Sequence, residues 1–352
     1  MTNSNHLQGS ADHPDRRLAL GWVLALAALG AAGPGCARGP AAKASQVLKV
    51  GDQRGAVHAL LTAAGLLNDV PYEIQWVQMP AAAPLLEALS AGAIDVGGVG
   101  GAPFAFAYSS GAPIKAVLAT RLRTVTPLLG RSSAIIVRRG SDIRTVADLK
   151  GRKLATIKGS AGHDMALRIL EKAHVDPKSV QFVFLNNGDA KAALGSGDID
   201  AWSTWGSYVG IAVEEDHDRV LVDASGIVTP GSIAGFQAAS DAAIAHKAPL
   251  LRDFLGRLVR AHAWVQTHPE AYAAQVAKET GVPLAVARYN VSYLLTTEYA
   301  PIDARLVEDQ RRTLDRYRAA GVIDVLPKLT DAGYVSAFSD VIGPATPAKA
   351  AG

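Results

Sequence analysis

The stretch Ala82–Thr120, AAPLLEALSAGAIDVGGVGGAPFAFAYSSGAPIKAVLAT, decides the fold class. AAPLLEALSAGA has helical spacing, with Pro84 in the first turn, where a missing N–H is tolerated. IDVGGVG reads as a short strand running into glycines. APFAFAYSSG is helical again, with Pro103 near its start, and IKAVLAT is again a strand. That alternation argues for an α/β fold: a largely parallel sheet with helices on both faces.

The pattern extends in both directions. Upstream, VLKVG is a strand, and AVHALLTAAGLL is a helix with Val57, Leu60, Leu61 and Ala64 on one face, closed by Gly65. YEIQWVQM alternates as a strand does. Downstream, a second unit starts near SAIIVRRGS and repeats the style through KLATIKG, DMALRILEKA, VQFVFLN, DAKAALGSG, IDAWSTW and RVLVDA. From about Ile233 the expected elements are helices in succession. A chain that goes out and comes back crosses twice, near Leu129–Ser133 and Gly226–Gly235. Two crossings between two lobes make a hinge over a cleft. The expected division is an export signal and linker over 1–44, the first part of lobe 1 over 45–130, lobe 2 over 131–230, a helical return to lobe 1 over 231–328, and a low-complexity tail over 329–352.

Composition narrows the function. At 352 residues and 49% apolar, the chain can build two cores. Its formal charge of +3 is nearly neutral for this size, and no basic block or base-reading motif points to nucleic acid. The N-terminus is polar up to Arg16-Arg17, then apolar over Leu18–Ala32, a run too short to span a bilayer comfortably, then rich in small residues. This reads as an export signal of the general route, because the residues after the arginine pair match a twin-arginine signal weakly. Two processing sites compete. Ala42–Ala44 fits the A-x-A rule and would release a chain starting at Ser45. Cys36, the only cysteine, sits where a lipoprotein cysteine sits and is a candidate for lipidation. Either product works outside the cytoplasmic membrane, soluble or tethered, and without a disulfide.

Four strand-to-helix turns carry special residues: GDQRGA at 51–56, GVGGAPF at 98–104, KGSAGHD at 158–164 and DAWSTWGSY at 200–208. In open parallel sheets ligands sit outside the carboxyl ends of strands, so two lobes facing each other would bring all four turns to one cleft. Within TIKGSAGHDMALRIL, Ser160 or Asp164 can cap the helix that follows. The same helix start can also receive an anion, because it carries unpaired donors and partial positive charge. Each candidate has an ordinary structural reading beside it. His163 suits a surface or capping role, and Gln53 can simply hold its turn. Asp200 can be a cap, and Trp202 and Trp205, three apart, would share a helix face as core residues do.

Enzymatic patterns are poor. The nine histidines show no H-E-x-x-H and no paired metal spacing. GVGGAP is not a dinucleotide fingerprint, no P-loop occurs, and TWGSYVG is not G-x-S-x-G. No catalytic residue, metal or cofactor is expected.

Several segments carry a resemblance: LKVGDQRG, LLEALSAGAIDVGGVGGAPFAFAYSSGAPIKAVLA, DLKGRKLATIKGSAGHDMALRILEKAHVDPKSVQFVFLNNGDAKAALGSGDIDAWSTW and AWVQTHPEAYAAQVAKETGV. Together they resemble the aliphatic-sulfonate, taurine and nitrate group of periplasmic substrate-binding proteins of ABC importers, from about Val47 to Lys328. The resemblance implies a two-lobe periplasmic binding protein fold of the type II kind, acting as a monomer beside a permease and an ATPase. It implies a small organic anion as ligand, held by Gln53, Gly101 and Ala102, by Ser160, Ala161, Gly162 and His163, and by Trp202 with Trp205. Two departures bear on the ligand. Gly100-Gly101-Ala102-Pro103 stands where the family often has Gly-Asp-Ala-Pro, and Trp205-Gly206-Ser207-Tyr208 where it often has Trp-Asp-Pro-Tyr. Both replace a carboxylate by glycine, which favours a sulfonate without a positive end over taurine. Nitrate, a sulfate ester or an aromatic sulfonate are the alternative ligands. An enzyme resembling thiamine-pyrimidine synthases is the alternative of another class, although the cysteine-rich stretch of those enzymes is missing.

Overall fold

The computed structural model describes residues 46–130, 132–324, 326 and 330–343. The expected export segment, both expected processing sites, Cys36 and the end of the tail lie outside them. No helix among the described residues is long and apolar enough to cross a membrane.

The first lobe opens with β1 (Val47–Gln53), α1 (Ala56–Ala63), β2 (Glu73–Met79), α2 (Ala82–Ser90), β3 (Val96–Gly100), α3 (Gly101–Ser109) and β4 (Ile114–Leu122). A short α4 (Pro127–Gly130) lies on the way across. The second lobe holds β5 (Ser133–Val137), β6 (Lys153–Thr156), α5 (Ala161–Lys172), β7 (Gln181–Phe184), α6 (Asn187–Ser196), β8 (Ala201–Trp205), α7 (Ser207–Gly210) and β9 (Arg219–Asp223). The chain then returns as β10 (Ile233–Ser240), α8 (Asp241–His246), α9 (Ala248–Val265), α10 (Pro269–Thr280), α11 (Leu284–Thr296), β11 (Thr297–Ala300) and α12 (Ala304–Ala319).

The architecture is α/β in two lobes, each with its own sheet. The lobe 1 sheet runs β11-β4-β10-β3-β1-β2 and the lobe 2 sheet β7-β6-β8-β5-β9. Both are mixed, which corrects the expectation of a largely parallel sheet. β1 is parallel to β2 and β3, but β10 lies antiparallel between β3 and β4. In lobe 2, β6 is parallel to β7 and β8, while β5 is antiparallel to β8 and β9. The return to lobe 1 therefore starts with a central strand, not with the helices its sequence suggested. IAGFQAAS is short, small and buried along most of its length, so it has no alternation to reveal it.

Each sheet is covered on both faces. In lobe 1, Leu48, Val50 and Val117 pack with Phe254, Leu255 and Leu258 of α9, while Leu85, Leu89, Phe104 and Phe236 fill the other side. In lobe 2, Leu154 packs with Met165, Ile169 and Leu170 of α5, and Ile136 packs with Leu194, Trp202 and Val209. Full burial of one such side chain is worth about 1.5–3 kcal/mol. A smaller cluster bridges the lobes. Tyr317 of α12 sits with its ring 4.7 Å from Phe106 of α3 and 5.1 Å from His163 of α5.

Candidate functional site

β3 and β6 each end in a turn that feeds a helix, and both helices start at the space between the lobes. α3 begins at Gly101 after an extended Gly100, with no side-chain cap. α5 begins at Ala161, where Ser160 Oγ accepts from the backbone N–H of His163 at 3.2 Å. The two starts face each other: a Cβ at Gly100 would lie 3.5 Å from the Cβ of Ala161. First-turn N–H groups have no partner inside their helix, so both helices turn free donors and partial positive charge toward one cavity. That cavity measures about 490 Å³ and is lined from both lobes.

The β1–α1 turn contributes differently. Asp52, fully buried, accepts from the N–H groups of Val57 at 3.0 Å and His58 at 2.8 Å. Burial pushes its carboxyl up, and these two bonds oppose the rise. The start of α1 is thus occupied by the protein's own carboxylate and is closed to a ligand. What the turn offers instead are side chains. Gln53 donates through Nε2 to Gly98 O at 2.7 Å, tying β1 to the β3 turn. Arg54 holds a left-handed backbone at φ 60, which costs a non-glycine residue about 1–2 kcal/mol. Its guanidinium lies 4.3 Å from the ring centre of Tyr208 on the opposite lobe. Among the described residues it makes no ion pair, so a cation without a counter-charge stands in the lining of the cavity.

The fourth turn ends β8. Trp205 lines the cavity and lies against the first turn of α5, its ring 3.0 Å from where a Cβ of Gly162 would be. Gly206 follows at φ 59, a left-handed position that favours glycine over the aspartate of the resembling pattern. Asn187, at the start of α6, accepts from Thr204 Oγ1 at 3.1 Å through its amide oxygen and also lines the cavity. In lobe 1, Gln237 Nε2 donates to the Tyr299 hydroxyl at 3.2 Å, and burial holds that phenol neutral, pushed up to about 12. Gln310 of α12 reaches over the start of α3 with a buried Oε1 that has no partner among the described residues. Asp164, the acidic residue nearest the α5 start, is held by Arg316 at 2.6 Å and by Arg168 at 3.8 Å.

Gln53, Gly101, Ala102, Ser160, Ala161 and Trp205 line the cavity, whereas three other candidates do not. Trp202 and Trp205 share no helix face, because they lie on β8. Residues three apart on a strand point to opposite sides, and Trp202 is fully buried in the lobe 2 core. Gly162 turns toward β8, where a Cβ would meet Ser203 O at 2.8 Å. His163 is neither on the surface nor in the cleft. It is buried beside Phe182, Phe184 and Tyr317, and burial pulls its imidazole down to about 4. Asp200 sits before β8, where its carboxylate accepts from Lys153 N at 2.8 Å. Arg54 and Tyr208 fall inside the quoted turns but carry no pattern of their own. Asn187, Gln237 and Gln310 had no local signal, since only the packed lobes bring them to the cavity.

Known proteins resemble this chain in sequence and in fold. Residues 73–272 match the family described as NMT1/THI5 like. A protein of Escherichia coli K12 named for binding aliphatic sulfonates is 32% identical over 275 residues, 77% of this chain and 83% of its own. The alkanesulfonate-binding protein of Xanthomonas axonopodis pv. citri, solved bound to MOPS, superposes with a TM-score of 0.73 at 28% identity, covering 82% of this chain and 98% of that one. The periplasmic aliphatic sulphonate binding protein of Escherichia coli gives 0.68 at 29% identity, over 80% and 90% of the two chains.

Proposed function

Because the chain belongs to the NMT1/THI5-like family, among relatives named for binding aliphatic sulfonates, we propose that it is the solute-binding component of an ABC importer. It works outside the cytoplasmic membrane, takes an aliphatic sulfonate or a similar small organic anion between its lobes, and delivers it to a permease driven by an ATPase. The observation that carries this reading is the pair of helix starts, α3 and α5, facing each other across one cavity with Arg54 beside them. A sulfonate has three acceptor oxygens and a fixed charge, which suits clustered N–H donors. Each helix terminus supplies up to about 2 kcal/mol in a partly buried site. Two of them, with a charge-assisted bond from Arg54 and an alkyl tail packed on Trp205, approach the ~8 kcal/mol of micromolar binding.

The glycines at 101 and 206 refine the ligand. Both line the cavity, and neither brings a carboxylate to hold an ammonium. An unsubstituted alkanesulfonate is therefore the better ligand, and taurine the poorer one. Calorimetric titration with hexanesulfonate, taurine and nitrate tests the reading. Hexanesulfonate is expected to bind at micromolar concentration, taurine at least about tenfold more weakly, a difference of ~1.4 kcal/mol. Nitrate, with no tail for Trp205, is expected to bind weakest. Equal affinity for nitrate and hexanesulfonate would remove the role of the tail. Recovery of an altered sulfonate after incubation would make the protein an enzyme instead.

A further inference from the structure

A second cavity, about 230 Å³, opens on another face of α5. His163 and Leu167 of α5, Phe182 and Phe184 of β7, and the residues just after α12 form its walls. Three features of the cluster bear on a ligand. First, His163 is fully buried, and its Nε2 has no hydrogen-bond partner among the described residues. The N–H of Gly159 donates to Nδ1 at 3.1 Å, so Nδ1 is the acceptor and the proton sits on Nε2. A buried donor is thereby left for an acceptor that the described residues do not supply. Second, Phe182 and Phe184 stand 6.3 Å apart with planes 15° from parallel, and Phe184 remains 43% exposed at the edge of its sheet. Third, Lys158 and Lys178 flank the opening, both exposed and without an ion pair among the described residues.

We propose that this pocket binds a small aromatic organic anion, a single ring bearing a carboxylate or sulfonate. The oxyanion accepts from His163 Nε2–H and faces the two ammonium groups, and the ring lies against Phe182 and Phe184. The volume is below the ~300 Å³ at which pockets for drug-sized ligands begin, which limits the occupant to one ring. Neutral imidazole is the right form for the role, because it keeps the Nδ1 acceptor bond to Gly159 while offering the Nε2 proton. The proposal stands apart from the sulfonate reading of the main cleft.

The probes are benzoate and benzenesulfonate, titrated into the processed protein with its histidine side chains labelled with nitrogen-15. His163→Gln assigns the resonance. Saturable movement of the His163 Nε2 signal at millimolar probe is expected. Lys178→Glu, at an exposed position that touches only this pocket, is expected to weaken that binding by about tenfold. Arg54→Gln, which alters only the main cleft, leaves it unchanged. A His163 signal that never moves, or that moves equally in Lys178→Glu, overturns the proposal. If Arg54→Gln abolishes the movement, the probe sits in the main cleft, and the proposal falls while the cleft reading stands.

Discussion

Gly162 has no room for a side chain: a Cβ there would lie 2.8 Å from Ser203 O and 3.0 Å from Thr156 Oγ1 and the Trp205 ring. The Ser203 hydroxyl in turn donates to Gly162 O at 2.7 Å. The start of α5 is pressed onto β8 at this residue, and that contact sets the direction in which the free N–H groups point. Gly162→Ala is expected to destabilise the fold by about 1–3 kcal/mol through overpacking. Chemical denaturation reads this as a lower midpoint at unchanged slope, and an unshifted midpoint would mean that β8 yields freely. His163, one residue on, makes a prediction about pH. Its folded pKa of about 4 lies below the unfolded value of ~6.5. The unfolded chain therefore binds the extra proton first as pH falls. The stabilising contribution is complete above pH ~6.5, is lost as pH drops from there, and is exhausted near pH ~4, a total of about 3 kcal/mol. Burial is the larger cause and the positive charge of Lys158 the smaller. Denaturation curves of the parent and His163→Gln across that window check this: the pH slope should be shallower in the variant.

At the scale of elements, β10 carries the lobe 1 sheet. It lies between β3 and β4, with Gly235 opposite Gly100 and Thr120. A Cβ on Gly235 would approach Val99 O to 2.5 Å, a backbone atom that cannot move aside without opening the ladder. Gly235→Ala is expected to cost more than about 2 kcal/mol and to reduce the folded yield sharply. Near-parental melting would show that the two strands can separate locally. The same strand shows why the sequence told only part of the fold. α2 and α5 were legible because one face of each is apolar, and α3 because Pro103 marks its first turn. β10 is built from small residues with no alternation. β11 is a four-residue edge strand following directly on α11. Local pattern distinguishes neither from loop. The site divides the same way. The turns at strand ends were readable, and the resemblance placed Gln53, Gly101, Ser160 and Trp205 on them; all four line the cavity. The face on which a side chain lands depends on strand against helix, and that misassigned Trp202. Gln310 reaches the cleft from a distant helix, which no local pattern encodes.

At the scale of the molecule, the lobes meet through contacts of different kinds. Gly100 leaves room for no more than one methyl before Ala161, Arg54 stacks on Tyr208, and Tyr317 packs between Phe106 and His163. A ligand held by both helix starts draws the lobes together, as hinge closure requires. Hexanesulfonate is expected to reduce the radius measured by X-ray scattering and to change tryptophan emission. The emission change should vanish in Trp205→Phe and persist in Trp202→Phe, because only Trp205 lines the cleft. A bound ligand that alters neither observable would mean that the two lobes move as one body. The topology also sets an order in time. All five strands of lobe 2 come from one continuous run between Ser133 and Asp223. Lobe 1 cannot join β3 to β4 until Ser240 has been made, because its central strand arrives after the whole of lobe 2, and the edge strand β11 follows only at Ala300. The first strands synthesised are the last to be finished. Through that interval β3 and β4 expose unpaired edges, the condition in which a growing chain either aggregates or is held by a chaperone.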